Sequence, residues 1–393
     1  MIRLARAALL LATAALAGCC KLSGSPTFTA RSERALTPAA ASALEGPSRR
    51  FLHLGDFGDA TCQQASVASA VVTAHRRAPF DAAFFAGDLV YECGPDASAP
   101  GAEQCRFAPD GNTVEPGLPP GTAATSFSVH EEPLAGLTAP PAAAVYLALG
   151  NHDVAAGGGC GEGPDLDAIS RTKACLNVAH ASPLWTLPAR HYAVDRGPAR
   201  FLVVDTNLLM REYGGFFFDD EVAFVRAAAA GCRADACAAE PGGCEKPWCF
   251  LVGHHPAVTA GIHRDDATPD YIARVGRLVA AGDGRLRGWL AGHDHDLQHL
   301  RSPEGLDVFV SGNGARGRPR ERFRVPSVTG TEILFASVGW GFGVLEVSPS
   351  GWLYRFEDVE GAPRYCCAAQ GAGRCEPAAC PALTAPPAAP GPG

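Results

Sequence analysis

Five apolar runs in this chain close in the same way, on a glycine followed at once by a residue with an oxygen or imidazole donor. "FLHLGD", "FDAAFFAGD", "AVYLALGN", "CFLVGH" and "GWLAGH" deliver Asp56, Asp88, Asn151, His254 and His293, with His295 two residues further on. Short runs that are apolar throughout predict strands buried on both faces, as parallel strands in α/β folds are. In such folds ligands bind beyond the carboxyl ends of the strands, so the five endings are expected to face one region. One Gly-Asp alone is an ordinary turn, and one buried histidine an ordinary core residue. Five such endings in order predict a site.

The segments between the runs fit the same plan. "QQASVASAVVTAHRR" and "PDYIARVGRLVAAG" space their apolar residues as amphipathic helices, and the second begins with proline, which suits a first helical turn. "DDEVAFVRAAAAG" predicts a helix with acidic residues at its start and Gly231 at its end. "HYAVDRGPARFLVVDTN" predicts two strands joined at Arg196-Gly197-Pro198, and "GLDVFVSGNGA" and "FGVLEVSPSGWLYRFED" the last strands. Together these predict an α/β fold of two mixed β-sheets flanked by helices. With 47% hydrophobic and 19% charged residues the chain can build a sizeable core, and its net charge of −8 argues against nucleic acid as a partner.

Residues 1–18 predict a signal peptide, with a basic start at Arg3 and Arg6 and an apolar run from Ala7 to Ala17 that is short for a membrane span. Leu16-Ala17-Gly18-Cys19 resembles the bacterial lipoprotein box, so Cys19 is expected to carry a lipid anchor in the cell envelope; secretion after ordinary cleavage is the alternative. Residues 19–48 then form a flexible tether, 49–360 the globular domain that holds all five endings, 361–380 a Cys-rich extension and 381–393 a Pro/Ala-rich tail. Export into an oxidising compartment makes disulfides the expected state of the 15 cysteines. The clusters Cys232, Cys237, Cys244, Cys249 and Cys366, Cys367, Cys375, Cys380 are expected to pair rather than to hold zinc. Residues 93–139 are a long Pro/Gly-rich insertion, for which a Cys93–Cys105 disulfide is a candidate closure.

Oxygen and imidazole donors converging at one point suggest a hard or borderline metal. The order GD-x-G, GD-x-x-Y, GNHD, GHHP, GHDH resembles that of the calcineurin-like metallophosphoesterases, and among them the purple acid phosphatases of the small, mammalian-type, tartrate-resistant branch. The resemblance runs from about Phe51 to about Glu357. Most members of the larger family begin with Asp-x-His, whereas this chain has Gly58 at the histidine position and a tyrosine, Tyr91, three residues after Asp88. The resemblance implies that Tyr91 fills the vacancy as a phenolate, a hard anionic donor that favours ferric iron. It implies a dinuclear centre of Fe(III) and a divalent ion (Fe, Zn or Mn). Asp56, Asp88, Tyr91 and His295 would hold the first metal; Asp88, Asn151, His254 and His293 would hold the second.

The implied activity is acid hydrolysis of a phosphate-ester substrate, a monoester, by a metal-bound hydroxide in a monomeric enzyme. His152 is the expected proton donor to the leaving group, and His263 a second acid or a phosphate-orienting group. Rival readings are a phosphodiesterase or nucleotide hydrolase on the same site, a peroxide-generating redox role, and a non-catalytic surface binding protein. The last predicts lost ligands, and all the expected positions are filled. His53 is expected in the core, His255 and His299 in packing or supporting roles, Asp59 and Asp296 as loop or capping acids, and Asp153 as an orienter of His152. Arg316, Arg318, Arg320, Arg322 and Arg324 mark a loop, 314–326, that either borders the site or is simply solvated.

Overall fold

Two mixed sheets face each other across an aromatic core. In the computed structural model the described residues are 47–381, apart from 158–159, 161–164, 234–246, 319–322 and 372, together with 39–40 and 44. From edge to edge the first sheet runs β1 (Ala39–Ala40), β15 (Glu376–Ala379), β14 (Pro363–Gln370), β13 (Gly351–Asp358), β12 (Gly341–Ser348), β2 (Arg49–Leu54), β3 (Ala82–Ala86) and β4 (Ala144–Ala148). The second runs β11 (Glu332–Ser337), β9 (Leu297–Arg301), β10 (Asp307–Ser311), β8 (Leu286–Ala291), β7 (Trp248–Val252), β6 (Ala199–Val203) and β5 (Tyr192–Arg196). Each sheet has a parallel block, β2-β3-β4 at one edge of the first and β6-β7-β8-β10 in the middle of the second, and the other pairings are antiparallel except that of β1 with β15. The parallel strands are apolar because both of their faces are covered: every residue of β3, β7 and β8 is buried.

Between the sheets Phe84 stacks on Phe201 at 3.9 Å, Phe309 stacks on Tyr354 at 3.9 Å, and Phe250 meets Trp352 edge-on at 5.3 Å. Outside them lie α1 (Cys62–Arg77), α2 (Ala124–Glu131), α3 (Leu166–Ala179), the single turn α4 (Asn207–Met210), α5 (Phe218–Ala229) and α6 (Pro269–Ala281). Thr61 and Thr268 cap α1 and α6 by accepting from the Gln64 and Tyr271 N–H groups, contacts each worth about 1 kcal/mol.

Five strands (β1, β9, β11, β14 and β15) and three helices (α2, α3 and α4) go beyond the sequence expectation. β9 reads "LQHLR", with too much polarity for a core strand, yet all five residues are buried because each polar side chain finds a partner: Gln298 bonds Asp296, and His299 and Arg301 both meet Asp307. The insertion is partly helical. α2 and the turn after it bury Phe127, Leu134 and Leu137, with the polar His130 in the apolar series between the first two, so the helical period is broken in the sequence. The Cys-rich stretch contributes β14 and β15 to the first sheet, and Ala39–Ala40, inside the stretch expected as tether, pairs with β15.

The Cys93–Cys105 pairing is corrected. Cys93 bonds Cys160 and Cys105 bonds Cys175 of α3, so the insertion is pinned to its neighbours and not closed on itself. Chain spacing brings cysteines together only when the turn between them does, and the short helix at Ala102–Gln104 turns Cys105 away toward α3. Cys232–Cys249, Cys366–Cys380 and Cys367–Cys375 are disulfides, as expected for the two clusters, and Cys62 is also disulfide-bonded; Cys237 and Cys244 lie outside the described residues. This density of disulfides indicates an oxidising compartment. Among the described residues no helix is long and apolar enough to cross a membrane, and the stretch with the expected signal peptide and Cys19 lies outside them.

Candidate metal centre

All five strand endings meet at one place, three from the first sheet (β2, β3, β4) and two from the second (β7, β8). The centre therefore sits on the seam between the sheets. Each strand must turn sharply at its glycine to aim the next side chain inward. Asp56, Asp88 and His293 do so in the left-handed region, at φ of 55°, 55° and 72°, which non-glycine residues rarely adopt and which clusters at functional sites.

Two groups of donors result. In the first, the Tyr91 hydroxyl lies 3.0 Å from Asp56 Oδ1 and 3.3 Å from His295 Nε2, and His295 Nε2 lies 3.4 Å from Asp56 Oδ1. In the second, His254 Nε2 lies 2.8 Å from Asn151 Oδ1, 3.2 Å from His293 Nδ1 and 3.4 Å from Asp88 Oδ1. The ligand atoms of Asp56, Asp88 and His254 fall within 4.8 Å of one another, so Asp88 lies close to members of both groups. Thus the structure brings Asp56, Asp88, Tyr91, Asn151, His254, His293 and His295 together.

This donor set fits a pair of cations. His254 Nδ1 meets the Ala86 carbonyl at 2.8 Å, which fixes the proton there and turns the Nε2 lone pair toward the centre. Burial pushes the Asp56 carboxyl up to about 7, with His254 offsetting part of the rise and the Asp88 charge adding to it. Burial also pushes against Asp88, but His254 and His152 outweigh it and hold that carboxyl below its usual range. Burial, then the charges of Asp56 and Asp88, drive the Tyr91 phenol well above its ordinary value. Burial lowers His295 to about 4, helped by Arg318, and lowers His293 well below its ordinary value, helped by His263. A bound cation would reverse the upward shifts of Asp56 and Tyr91, and the lowered histidines are already held in the neutral form that binds metal.

Around the donors the supporting residues differ in part from expectation. Asp153 does not touch His152. It accepts from the Leu89, Val90 and Gly150 N–H groups at 2.7, 3.0 and 2.7 Å and so ties the Gly-Asp loop after β3 to the loop after β4. His152 turns Nδ1 to the Glu92 carbonyl and keeps Nε2 4.0 Å from Asp88 Oδ2. His263 rests its ring 4.0 Å from that of His293, and Asp266 holds both, accepting at 2.9 Å from His263 Nδ1 and lying 3.2 Å from His293 Nε2. Burial would lower His263, but Asp266 and Asp294 overcome it and raise its pKa.

His255 packs 4.5 Å from the His293 ring with Nδ1 on Thr206, while His53 and His299 bond Tyr354 and Tyr365 in the core. Asp59 pairs with Arg316, and Asp296 accepts from Gln298. Asp266 was the missed residue with a visible signal, since it follows His263 by three, and the 3₁₀ turn Ile262–Asp266 puts both on one side. Arg318 lies 3.5 Å from His263, while Arg320 and Arg322 lie outside the described residues. Beside Asn151, His263 and His293 opens a cleft of about 420 Å³, walled by Met210, Arg211 and Tyr213.

The sequence model of the calcineurin-like phosphoesterase family matches residues 49–297, which run from β2 to the start of β9 and include every one of these donors. The chain belongs to this family. The family is one of metallophosphoesterases, and it implies a dinuclear metal centre and a phosphate-ester substrate. Purple acid phosphatase 7 of Arabidopsis thaliana is 30% identical over 114 residues, 29% of this chain and 33% of the plant protein. The chain thus spans about a third of that curated relative. Among solved structures, the phosphoesterase fold resembles GAP50, the anchor in the inner membrane complex of Plasmodium, at TM-score 0.57 and 15% identity over 84% of this chain and 90% of that one. It also resembles the purple acid phosphatase PPD1 from yellow lupin seeds, at TM-score 0.56 and 16% identity over 83% of this chain and 54% of that one. At such identities the likeness is one of fold.

Proposed function

We propose that this metallophosphoesterase is an exported acid phosphatase acting on phosphate monoesters, of the small tartrate-resistant purple type. In this reading Asp56, Asp88, Tyr91 and His295 hold a ferric ion, and Asp88, Asn151, His254 and His293 a divalent one. The observation that carries it is the Tyr91 hydroxyl between Asp56 and His295, where a phenolate completes a hard oxygen-rich set. When bound, such a pair of cations supplies Lewis-acid polarisation of a phosphoryl group and acidifies water. The chain's own residues do the rest. Asn151, His263 and His293, which line the cleft, orient the phosphoryl oxygens, and Met210, Arg211 and Tyr213 beside them contact the ester group. Asp266 and Asp294 favour the protonated form of His263, which suits it to an anion.

A purified protein loaded with iron is expected to be coloured by tyrosinate-to-iron charge transfer, and Tyr91→Phe to abolish the band with the fold intact. It should turn over an aryl phosphate monoester much faster than the matching diester. An active but colourless protein containing only zinc or manganese would sink the ferric assignment, and a preference for the diester the substrate assignment.

His152 is assigned the proton delivered to the leaving oxygen, because the Glu92 carbonyl and carboxylate hold its Nδ1 and leave Nε2 on the side of the centre, 4.0 Å from Asp88 Oδ2. His152→Ala is expected to slow esters with high-pKa alcohol leaving groups about a hundredfold, and activated aryl esters much less. Equal slowing of both, with metal retained, would reassign His152 to phosphate binding.

Export by a Cys19 lipid anchor rests on the basic start, the apolar run and the Leu16-Ala17-Gly18-Cys19 box, and agrees with the disulfides. Labelled fatty acid should enter the wild-type chain in a lipoprotein-processing bacterium and not Cys19→Ser. Label that survives the substitution would place the anchor elsewhere.

A further inference from the structure

The loop after β10 brings a cation onto the tyrosine of the centre. Arg316 lies with its guanidinium carbon 3.8 Å from the Tyr91 ring centroid. Its Nε donates to Asp59 at 2.8 Å, and Nη2 donates to Glu92. Guanidinium N–H groups lie in the plane of the group, so two carboxylates bound through them hold that plane and leave its face to the ring. Both carboxylates reach solvent, with 30% and 52% of their side chains exposed, so water weakens their claim on the charge. The face toward Tyr91 has no such screen. Glu92 also lies 3.4 Å from His152 Nδ1, so one guanidinium edge is joined to the residue beside the candidate acid.

We propose that Arg316 is a positioning residue that supports Tyr91 as an anionic metal donor, its guanidinium stabilising the negative charge that a phenolate spreads into its ring. The proposal rests on the reading of Tyr91 as a ligand. A cation over a neutral aromatic face gains modest energy, and over an anionic one it gains a full charge–charge attraction at the same short range. Arg316 is poorly placed to grip a substrate phosphate, since its Nε and Nη2 already serve Asp59 and Glu92. Its clasp also joins the loops after β2 and β3, and the test must separate that structural effect from the electrostatic one.

A double-mutant cycle makes the separation, because Tyr91→Phe keeps the ring and removes the charge. Wild type, Arg316→Gln, Tyr91→Phe and the double variant are loaded with iron and, separately, with zinc, and metal loss to a chelator is timed. Arg316→Gln is expected to speed loss about tenfold with Tyr91 present, and less than about twofold in the Tyr91→Phe chain. In the iron form its charge-transfer band should move to longer wavelength, since the phenolate electrons are held less tightly. Arg316→Lys, which keeps the charge and loses the fork, should fall between Arg316→Gln and wild type in both readouts. Equal acceleration in the two backgrounds, or no change in rate and band, would reduce Arg316 to a loop clasp and overturn the proposal. If Tyr91→Phe itself leaves metal loss unchanged with both metals, the ligand reading fails and takes this proposal with it.

Discussion

Asp88→Ala is expected to lower kcat/KM on an aryl phosphate monoester by about a thousandfold or more, and to strip metal from both positions. Two cations held side by side repel each other, and a carboxylate placed between them offsets that repulsion while serving as a ligand to each. Asp88 is the group proposed for that place: its carboxylate lies within 4.8 Å of ligand atoms of both Asp56 and His254. It does a third task as well, since Oδ1 accepts the His152 N–H at 3.0 Å and so fixes the start of the turn that carries the candidate acid. Removing it disturbs both metal positions and the acid at once. His263→Ala is the contrast, because it leaves every proposed ligand in place; a loss of about ten- to a hundredfold is expected with metal content unchanged. Kinetics together with metal analysis of the two variants decide the matter. Similar mild losses in both would show that Asp88 bridges nothing.

The donors were legible in the sequence because the fold repeats one local device. An apolar strand, a glycine and a donor recur five times, and each part of the device is visible within six residues of chain. What joins the five ends is not local. β2 pairs with β12 nearly three hundred residues later, so the sequence predicts two mixed sheets without saying which strands belong to which, or that the centre lies on the seam between them. Polar strands were lost for the opposite reason. Gln298 and Arg301 look like surface, and partners both near and far in the chain, Asp296 and Thr259 for Gln298 and Asp307 and Cys375 for Arg301, make them core. Asp153 was misread in the same way: adjacency to His152 suggested a contact, whereas its carboxylate serves backbone N–H groups on another loop. Disulfide partners were the least legible, because a cysteine's spacing carries no direction. The Arg316–Tyr91 contact had no signal beyond a run of arginines, since the loop that bears it returns to the site only through the pairing of β10 with β8.

Gly58→His is expected neither to fold normally nor to replace Tyr91, although histidine is the residue most of this family is expected to carry at that position. A Cβ at Gly58 would lie 2.1 Å from the carbonyl carbon and oxygen of Leu89 and 2.4 Å from the Val90 nitrogen. These are backbone atoms, and they cannot swing aside as a side-chain tip can. Even Gly58→Ala should therefore cost about 3 kcal/mol or more, read as a clear fall in Tm. The contact is close because the two loops are laced together, with the Gly58 N–H on the Asp88 carbonyl at 3.0 Å and the Tyr91 N–H on the Gly58 carbonyl at 2.9 Å. That same lacing carries the Tyr91 hydroxyl to within 3.0 Å of Asp56. The missing histidine and the added tyrosine are thus one packing arrangement: the loop that presents the phenol occupies the space in which an imidazole would have to start. Putting histidine back should loosen Tyr91 as well as strain the turn, so Gly58→His/Tyr91→Phe should bind less iron than Tyr91→Phe alone. A double variant of wild-type Tm that regains metal would mean that the loops part easily, and that the tyrosine is a free choice and no consequence of the glycine.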